Sequence, residues 1–344
     1  MNESSNQEEI TGQLVELLRE RGKEGLELAR KTALEEKVEL KEACEALEYF
    51  MNEYWHDYTS SGVLSLICEA VGGDRKITTP VAVPLTLISG AIDIHDDIID
   101  QSEIKGDRQT VYGKFGKEIA LLVGDALLFK GFTSLFDAIE EGVPAEKVAA
   151  IANITNKMFF ELGNAEALEL MFRGRTDVTP EEYLQVARKK GADLEAYARI
   201  SAILGGASEE EIEALGEYGR LLGTIIILRD DMIDMLDPEE TIHRIQKEHI
   251  NIAILYALQN PEMKTQIKAI LKEPITTESA KKLAILVDKA GGFARINDYM
   301  NKLVSSAYVK IEKVKCSKNH LTLLIRGMLL PDWRKYLTPA KSDR

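Results

Sequence analysis

Six aspartates in two matching clusters are the residues of this chain best placed to do chemistry. Asp96, Asp97 and Asp100 end the run SGAIDIHDDIID (Ser89–Asp100), and Asp230, Asp231 and Asp234 lie in LRDDMIDML (Leu228–Leu236). Each cluster reads Asp-Asp-x-x-Asp, so on a helix Asp96 with Asp100, and Asp230 with Asp234, share a face. Carboxylates crowded onto an apolar helix repel one another and lose hydration unless a cation compensates. Two such clusters in matching contexts point to a facing pair that binds a divalent metal, although two solvated acidic helix ends are the plain alternative. An all-oxygen donor set favours a hard ion, Mg²⁺ or Mn²⁺.

The elements that must carry these clusters are legible in the flanking residues. VAVPLTLISGAI and LLGTIII precede the two clusters and are apolar on every side, as in helices buried within a core. Pro80 and Pro84 belong to the opening turns of the first of these helices, where a missing N–H costs least. Segments from about Gln7 to Glu35 and Val38 to Met51 show the three-four spacing of outer amphipathic helices. Val63–Val71 closes at Gly72-Gly73. Thr179-Pro180-Glu181-Glu182, Asp237-Pro238-Glu239-Glu240 and Ser208-Glu209-Glu210-Glu211 each place a capping residue three positions before a glutamate. Alternating β-branched strands are missing, so sheet content should be near nil. With no linker, repeat or low-complexity tract, residues 1–344 read as one all-α domain, a helical bundle of about a dozen helices.

Composition narrows the function classes. The chain has 344 residues, is 45% hydrophobic and 29% charged, and carries a formal charge of −14, which argues against a nucleic-acid partner. Cys44, Cys68 and Cys316 have no metal-ligand spacing and suit a reducing compartment, so a cytoplasmic protein is expected. The N-terminal residues lack the pattern of a secretion signal, and no purely apolar run is long enough to predict a membrane span. The Lys/Arg-rich end from Lys310 to Arg344 reads as a solvated helix face and tail, with a phosphate or membrane contact as the alternative.

Around the two aspartate clusters the sequence resembles the trans-isoprenyl diphosphate synthases, the polyprenyl synthetase family. The likeness extends to GKFGKEIALLVGDALL (Gly113–Leu128), ARKKGADLEAYARISAILGGAS (Ala187–Ser208) and YGRLLGTIIILRDDMID (Tyr218–Asp234), and runs from about residue 63 to 258. It implies the isoprenoid-synthase fold and a homodimer. It also implies prenyl transfer from an allylic diphosphate to isopentenyl diphosphate, with loss of pyrophosphate. By position, Asp96 and Asp100 would hold two of three Mg²⁺ ions, with Asp97 in support. Asp230 would hold the third, with Asp231 and Asp234 behind it or acting through water. Lys189 is carried over as the diphosphate-binding lysine. Residues one turn before Asp96 face the growing chain in the family. Here they are Ala91 and Ile92, small enough to leave room for about twenty carbons or more, with ordinary core packing as the other reading.

The departures fall on the acceptor side. The family's Gly-Lys-x-x-Arg-Pro, which grips isopentenyl diphosphate, corresponds to His56-Asp57-Tyr58-Thr59-Ser60-Ser61. The usual Arg-Arg-Gly is Lys105-Gly106-Asp107, with Arg108 just beyond; Lys105, Arg108, Arg75 or a partner subunit are the candidates to hold the second diphosphate instead. Phe-Gln of the second cluster's helix is Ile226-Ile227, and a later Gly-Lys is Glu248-His249. Asp93 adds a carboxylate where the family has an aliphatic residue. Three readings follow: a synthase that holds isopentenyl diphosphate differently; an enzyme that passes the allylic cation to another acceptor or cyclises it; or a subunit of a heteromeric synthase. From a different class, Glu53-x-x-His56 and Glu240-x-x-His243 match di-iron carboxylate spacing, which would leave both aspartate clusters unexplained. His95 is expected to donate to the aspartates, and His249 and His320 to be packing or surface residues.

Overall fold

Apolar residues on all sides of one helix place it at the centre of the molecule. The computed structural model describes residues 3–36, 38–315 and 317–329. Among them are sixteen α-helices, two of which, α5 (Val111–Phe115) and α12 (Ile252–Ala257), are only five and six residues long. Helix α4 (Thr79–Asp100) is buried against three neighbouring clusters. Val81, Ala82 and Leu85 join a core with Leu64, Ile67 and Ile200. Leu87, Ala91 and Ile94 join Leu26, Phe50 and Leu127. Ile88 meets Met158 and Ala196. Each buried valine, leucine or isoleucine here stabilises the fold by about 1.5–3 kcal/mol, which commits α4 to the interior whatever its acidic end costs.

Two glycines let α6 (Lys117–Glu140) lie close along α4. A Cβ at Gly124 would sit 2.6 Å from His95 Nε2, and one at Gly131 2.6 Å from Ile88 Cγ1. Helix α4 ends on Gln101, which takes the left-handed conformation at φ 57°. Pro80 occupies the first turn as expected, whereas Pro84 lies inside the helix.

Helix α10 (Glu209–Leu236) opens on the reciprocal Ser208–Glu211 capping box. Its first half packs Leu215, Tyr218 and Leu222 into the same core as α3 (Thr59–Ala70) and α9 (Ala192–Gly205). Its second half packs Leu228, Met232 and Met235 against α12, α14 (Thr277–Lys289) and α15 (Gly292–Ile311). Helix α8 (Pro180–Lys190) opens on the Thr179–Glu182 box, and α11 (Pro238–Lys247) on Asp237, which accepts from the N–H groups of Glu239 and Glu240. Helix α7 (Ala145–Phe172) lies beside α6, α8 and α9. Sheet is limited, among the described residues, to one two-residue antiparallel hairpin, Ile104–Lys105 with Arg108–Gln109, turning at Gly106 (φ 61°).

By length and composition, the segment from Arg75 to Asp100 and helix α6 are long and apolar enough to cross a membrane. The first is core. Helix α6 leaves Leu122, Phe129 and Phe136 exposed on the face away from α4. Toward the basic end, Lys310 pairs with Glu217 and Lys318 with Glu312, as on a solvated face. Cys316 and the residues from 330 onward lie outside the described residues. Cys44 and Cys68 are free thiols.

Candidate active site

The face of α4 that carries Ser89, Ile92, Asp93, Asp96 and Ile99 forms one wall of a cavity of about 760 Å³. Successive positions three or four apart account for this set. Helix α7 supplies Met158, Leu162 and Glu166, α9 supplies Asp193 and Tyr197, and Lys190 ends α8 at the rim. The expected chain-length residues therefore separate. Ile92 lines the cavity, whereas Ala91 is rotated a hundred degrees around the helix and is fully buried against Phe50, Leu87 and Leu127.

At the first cluster the compensating cation is internal. Lys105 Nζ, reaching from the hairpin, lies 2.7 Å from Asp97 Oδ1, 3.1 Å from Asp93 Oδ1 and 4.0 Å from Asp96 Oδ2. Burial pushes the Asp97 carboxyl up to about 7 even with Lys105 opposing the shift. Burial also pushes Asp100 to about 7, with the Asp96 charge adding to it, and Arg173 Nη2 stands 3.4 Å from Asp100 Oδ1. Asp93 is raised by burial as well. Arg108, the other expected diphosphate ligand, points away: it donates to the Glu53 carbonyl at 2.8 Å.

At the second cluster Asp231 is buried and accepts from the Tyr183 hydroxyl at 2.7 Å and from Arg244 Nη1 at 2.8 Å. Arg244 also donates to Asp234 Oδ2 at 2.7 Å, and Arg229 to Asp230 Oδ1 at 2.7 Å. Asn251 donates to the Asp231 carbonyl, tying α10 to the start of α12. Burial raises Asp231 to about 6.

Charged side chains link the two clusters. Lys190 pairs with Glu166 at 2.9 Å and with Glu169, and feels the charge of Asp96. Glu248 lies 3.4 Å from Arg244 and feels both Asp96 and Asp234. Glu169, buried, is pushed up to about 8. Among the described residues, no three His, Cys, Asp or Glu side chains are gathered closely enough to hold a metal as they stand. Lys105, Arg173, Arg229 and Arg244 pair with the aspartates instead.

Several expected site residues lie elsewhere in the structure. The lysine on the cavity is Lys190, one residue beyond Lys189, whose visible engagement is its carbonyl accepting from Arg220. A seven-residue spacing could have found it, since Tyr183, Ala187 and Lys190 share one helix face. His95 lies 3.2 Å from Asp125 Oδ1 rather than on the aspartate clusters. His249 is buried in the Tyr183–Arg244–Glu169 network. Asp57 accepts from the Thr59 N–H and the Ser60 hydroxyl at the start of α3. The two Glu-x-x-His pairs do not meet: exposed His56 contacts the Tyr54 carbonyl, and His243 contacts Ser102 and Glu248. Glu166 and Glu169 were missed, although carboxylates in an apolar helix are the same signal that exposed the aspartates. Arg244 and Tyr183 carry no sequence signal, because only folding brings them to Asp231.

Known proteins are similar to this chain in sequence and in fold. The chain is 38% identical over 185 residues to the geranylgeranyl diphosphate synthase of Methanosarcina mazei, covering 54% of this chain and 56% of that protein. It is 33% identical over 211 residues to a short chain isoprenyl diphosphate synthase of Methanothermobacter thermautotrophicus, covering 60% and 64%. The matched segments thus span less than two thirds of either relative. The fold matches a geranylgeranyl pyrophosphate synthetase from Pyrococcus horikoshii over 96% of this chain and 99% of that one, with a TM-score of 0.79 and 24% identity. It also matches a polyprenyl synthetase from Streptomyces coelicolor over 92% and 100%, with a TM-score of 0.80 and 22% identity. The sequence model of the polyprenyl synthetase family covers residues 61–287, from the start of α3 to the end of α14, and by that match the chain belongs to the polyprenyl synthetase family.

Proposed function

We propose that the protein is a prenyltransferase that ionises an allylic prenyl diphosphate and joins the prenyl group to isopentenyl diphosphate, releasing pyrophosphate and a longer prenyl diphosphate. The observation that carries this reading is an apolar cavity with Asp96 of the first carboxylate cluster on its wall, and Glu248 between that cluster and the second, feeling both Asp96 and Asp234. An allylic tail of about twenty carbons is the substrate or product such a cavity suits. The relatives' names, geranylgeranyl and short chain isoprenyl diphosphate synthase, support it.

The donor set fits Mg²⁺, with Mn²⁺ as a substitute. All six candidate ligands are carboxylates, and fully buried Asp97 has one oxygen, Oδ2, without a partner, its Oδ1 being paired with Lys105. Asp96, Asp97 and Asp100 would hold ions from one side, and Asp230, Asp231 and Asp234 from the other, three in all. When bound, they supply Lewis-acid stabilisation of the departing diphosphate. Lys190 adds a positive charge at the rim. Ile92, Met158, Leu162 and Ile227 keep water from the allylic carbon, and Ile92 helps set the floor for the tail.

A second reading, transfer to another acceptor, is favoured by Asp57: the stretch expected to grip a second diphosphate offers a carboxylate that is spent on opening α3. The protein acts in the cytoplasm as one domain, with no nucleic-acid partner and no integral membrane segment. It pairs as a homodimer through the exposed apolar face of α6 and α7, the heteromeric alternative using the same face. The test is turnover of allylic diphosphates of ten, fifteen and twenty carbons with isopentenyl diphosphate and Mg²⁺. Asp96→Ala and Asp230→Ala should abolish product while leaving the helical signal intact. Full activity in either variant would refute the ligand assignment.

A further inference from the structure

Lys190 is aimed at the cavity by groups on the far side of its own helix. Helix α8 ends at Lys190, and the carbonyls of the two residues before it, Arg188 and Lys189, accept from Arg220 Nη1 of α10 at 2.8 and 3.3 Å. A cation at the last carbonyls of a helix satisfies groups that have no partner within the helix and matches the negative end of its dipole. The rest of the guanidinium is fixed too. Nη1 and Nη2 donate to the two carboxylate oxygens of Glu161 on α7 at 2.8 and 2.9 Å, and Nε donates to Glu195 on α9 at 2.6 Å. The other Glu195 oxygen accepts from Arg199, which Glu213 holds through two further bonds. Four helices thus converge on the Arg220 side chain.

The backbone beyond Lys190 is pressed onto the same part of α10. A Cβ at Gly191 would lie 2.8 Å from the Arg220 carbonyl oxygen, and one at Gly223 2.7 Å from the Gly191 Cα. Backbones approach this closely only where the side chains are missing. The Thr224 hydroxyl donates to the Arg220 carbonyl at 2.7 Å. With its stem anchored, Lys190 holds its ammonium between Glu166 and Glu169, at 2.9 and 2.5 Å. Asp230 lies on the same helix as Arg220, about 15 Å farther along at 1.5 Å per residue. One helix therefore sets both the rim lysine and the second aspartate cluster.

We propose that Arg220 is a positioning residue for prenyl transfer, its guanidinium clamping the end of α8 so that Lys190 stands at the cavity rim to meet the allylic diphosphate. Arg220 does not line the cavity and acts only through the lysine. Glu161 and Glu195 already balance its charge; the bonds to the Arg188 and Lys189 carbonyls are what reach Lys190. The proposal rests on the reading of the protein as a prenyltransferase with Lys190 as its rim cation.

The test is a double-mutant cycle on the purified full chain with Mg²⁺ and isopentenyl diphosphate. Allylic diphosphates of ten, fifteen and twenty carbons are each supplied to wild type, Lys190→Ala, Arg220→Gln and the double variant. Arg220→Gln should lower kcat/KM on the order of tenfold, a part of what loss of the lysine itself costs. The double variant should be no slower than Lys190→Ala, because the clamp has nothing to aim once the lysine is gone. A role in the fold alone would lower the melting temperature but would not cancel in this way. Losses that multiply, to on the order of a thousandfold in the double variant, would overturn the proposal. Full kcat/KM in Arg220→Gln beside a slow Lys190→Ala would overturn it too and leave prenyl transfer standing. No turnover by wild type with any of the three substrates would sink the prenyltransferase reading and this proposal together. Should Arg220→Gln fail to fold, Glu161→Gln loosens the same clamp from α7 and takes its place in the cycle.

Discussion

Lys105 Nζ stands 2.7 Å from the buried Asp97 carboxylate, so a side chain from the β-hairpin fills the charge deficit of the first aspartate cluster. A cation at this spot stabilises the fold and also competes with any metal for the same oxygens. Lys105→Gln is therefore expected to destabilise the metal-free protein by about 1–3 kcal/mol, less than for a wholly buried partner because Lys105 is 39% exposed. Millimolar Mg²⁺ should restore more stability to the variant than to the wild type. Thermal melts with and without Mg²⁺ check this; equal Mg²⁺ gains would contradict the competition.

Lys190 and Lys189 are adjacent but should behave differently. Lys190→Ala strips Glu166 and Glu169 of their partner and removes the cation at the cavity rim. A loss in kcat/KM of about a hundredfold is expected. Lys189→Ala should stay within about twofold of wild type, as surface changes usually do. Steady-state kinetics of the two variants, side by side, separate them.

Ile92 is the residue proposed to set chain length, since it lines the cavity. Ile92→Phe should shorten the product by filling the cavity, with stability close to wild type. Ala91→Phe instead forces a ring into packed core beside Phe50 and Leu127, at about 1–3 kcal/mol or more. Product chromatography and melting temperature should move in opposite variants. Shortened product from a stable Ala91→Phe protein would reverse the assignment.

Burial raises Asp193 to about 6 from 3.8. An acid whose folded value is raised binds protons more tightly folded than unfolded, so it costs stability increasingly as pH climbs from about 4 to about 6. The cost is absent below that window and full above it. Asp193→Asn removes the penalty, and its stability relative to wild type should rise by roughly 1–3 kcal/mol between pH 4 and pH 7. Urea unfolding at the two pH values measures the difference, and a flat difference would show that the carboxylate is already satisfied.

Helix α6 carries Phe129 at 73% exposure on its outer face, in line with Leu122 and Phe136. A patch of this kind marks an interaction surface. Phe129→Asp should convert the proposed homodimer to a monomer, read by sedimentation. An unchanged sedimentation coefficient would place the contact elsewhere or remove it.

What the sequence determined by itself follows from short-range rules. Helical spacing put Asp96 with Asp100 and Asp230 with Asp234 on shared faces, and the capping residues Thr179, Ser208 and Asp237 stand where α8, α10 and α11 begin. The all-helical fold followed from the same periodicity. Rotation about a helix was less legible: Lys189 against Lys190, and Ala91 against Ile92, differ by one residue, and flanking composition cannot say which of two neighbours meets the cavity. That choice depends on which elements pack on each side of α4 and α8.

Only the tertiary structure decided what compensates the acids. Lys105 reaches Asp97 from a hairpin that the sequence pattern hides, and Arg244 reaches Asp231 from the following helix. Tyr183 meets the same carboxylate across forty-eight residues of chain. Charge pairing acts through a few ångströms of space and takes no account of separation along the chain, so no periodicity records it. Asp57 shows the limit most clearly: its type marks a missing cation, but only its bonds to Thr59 and Ser60 show that it opens a helix.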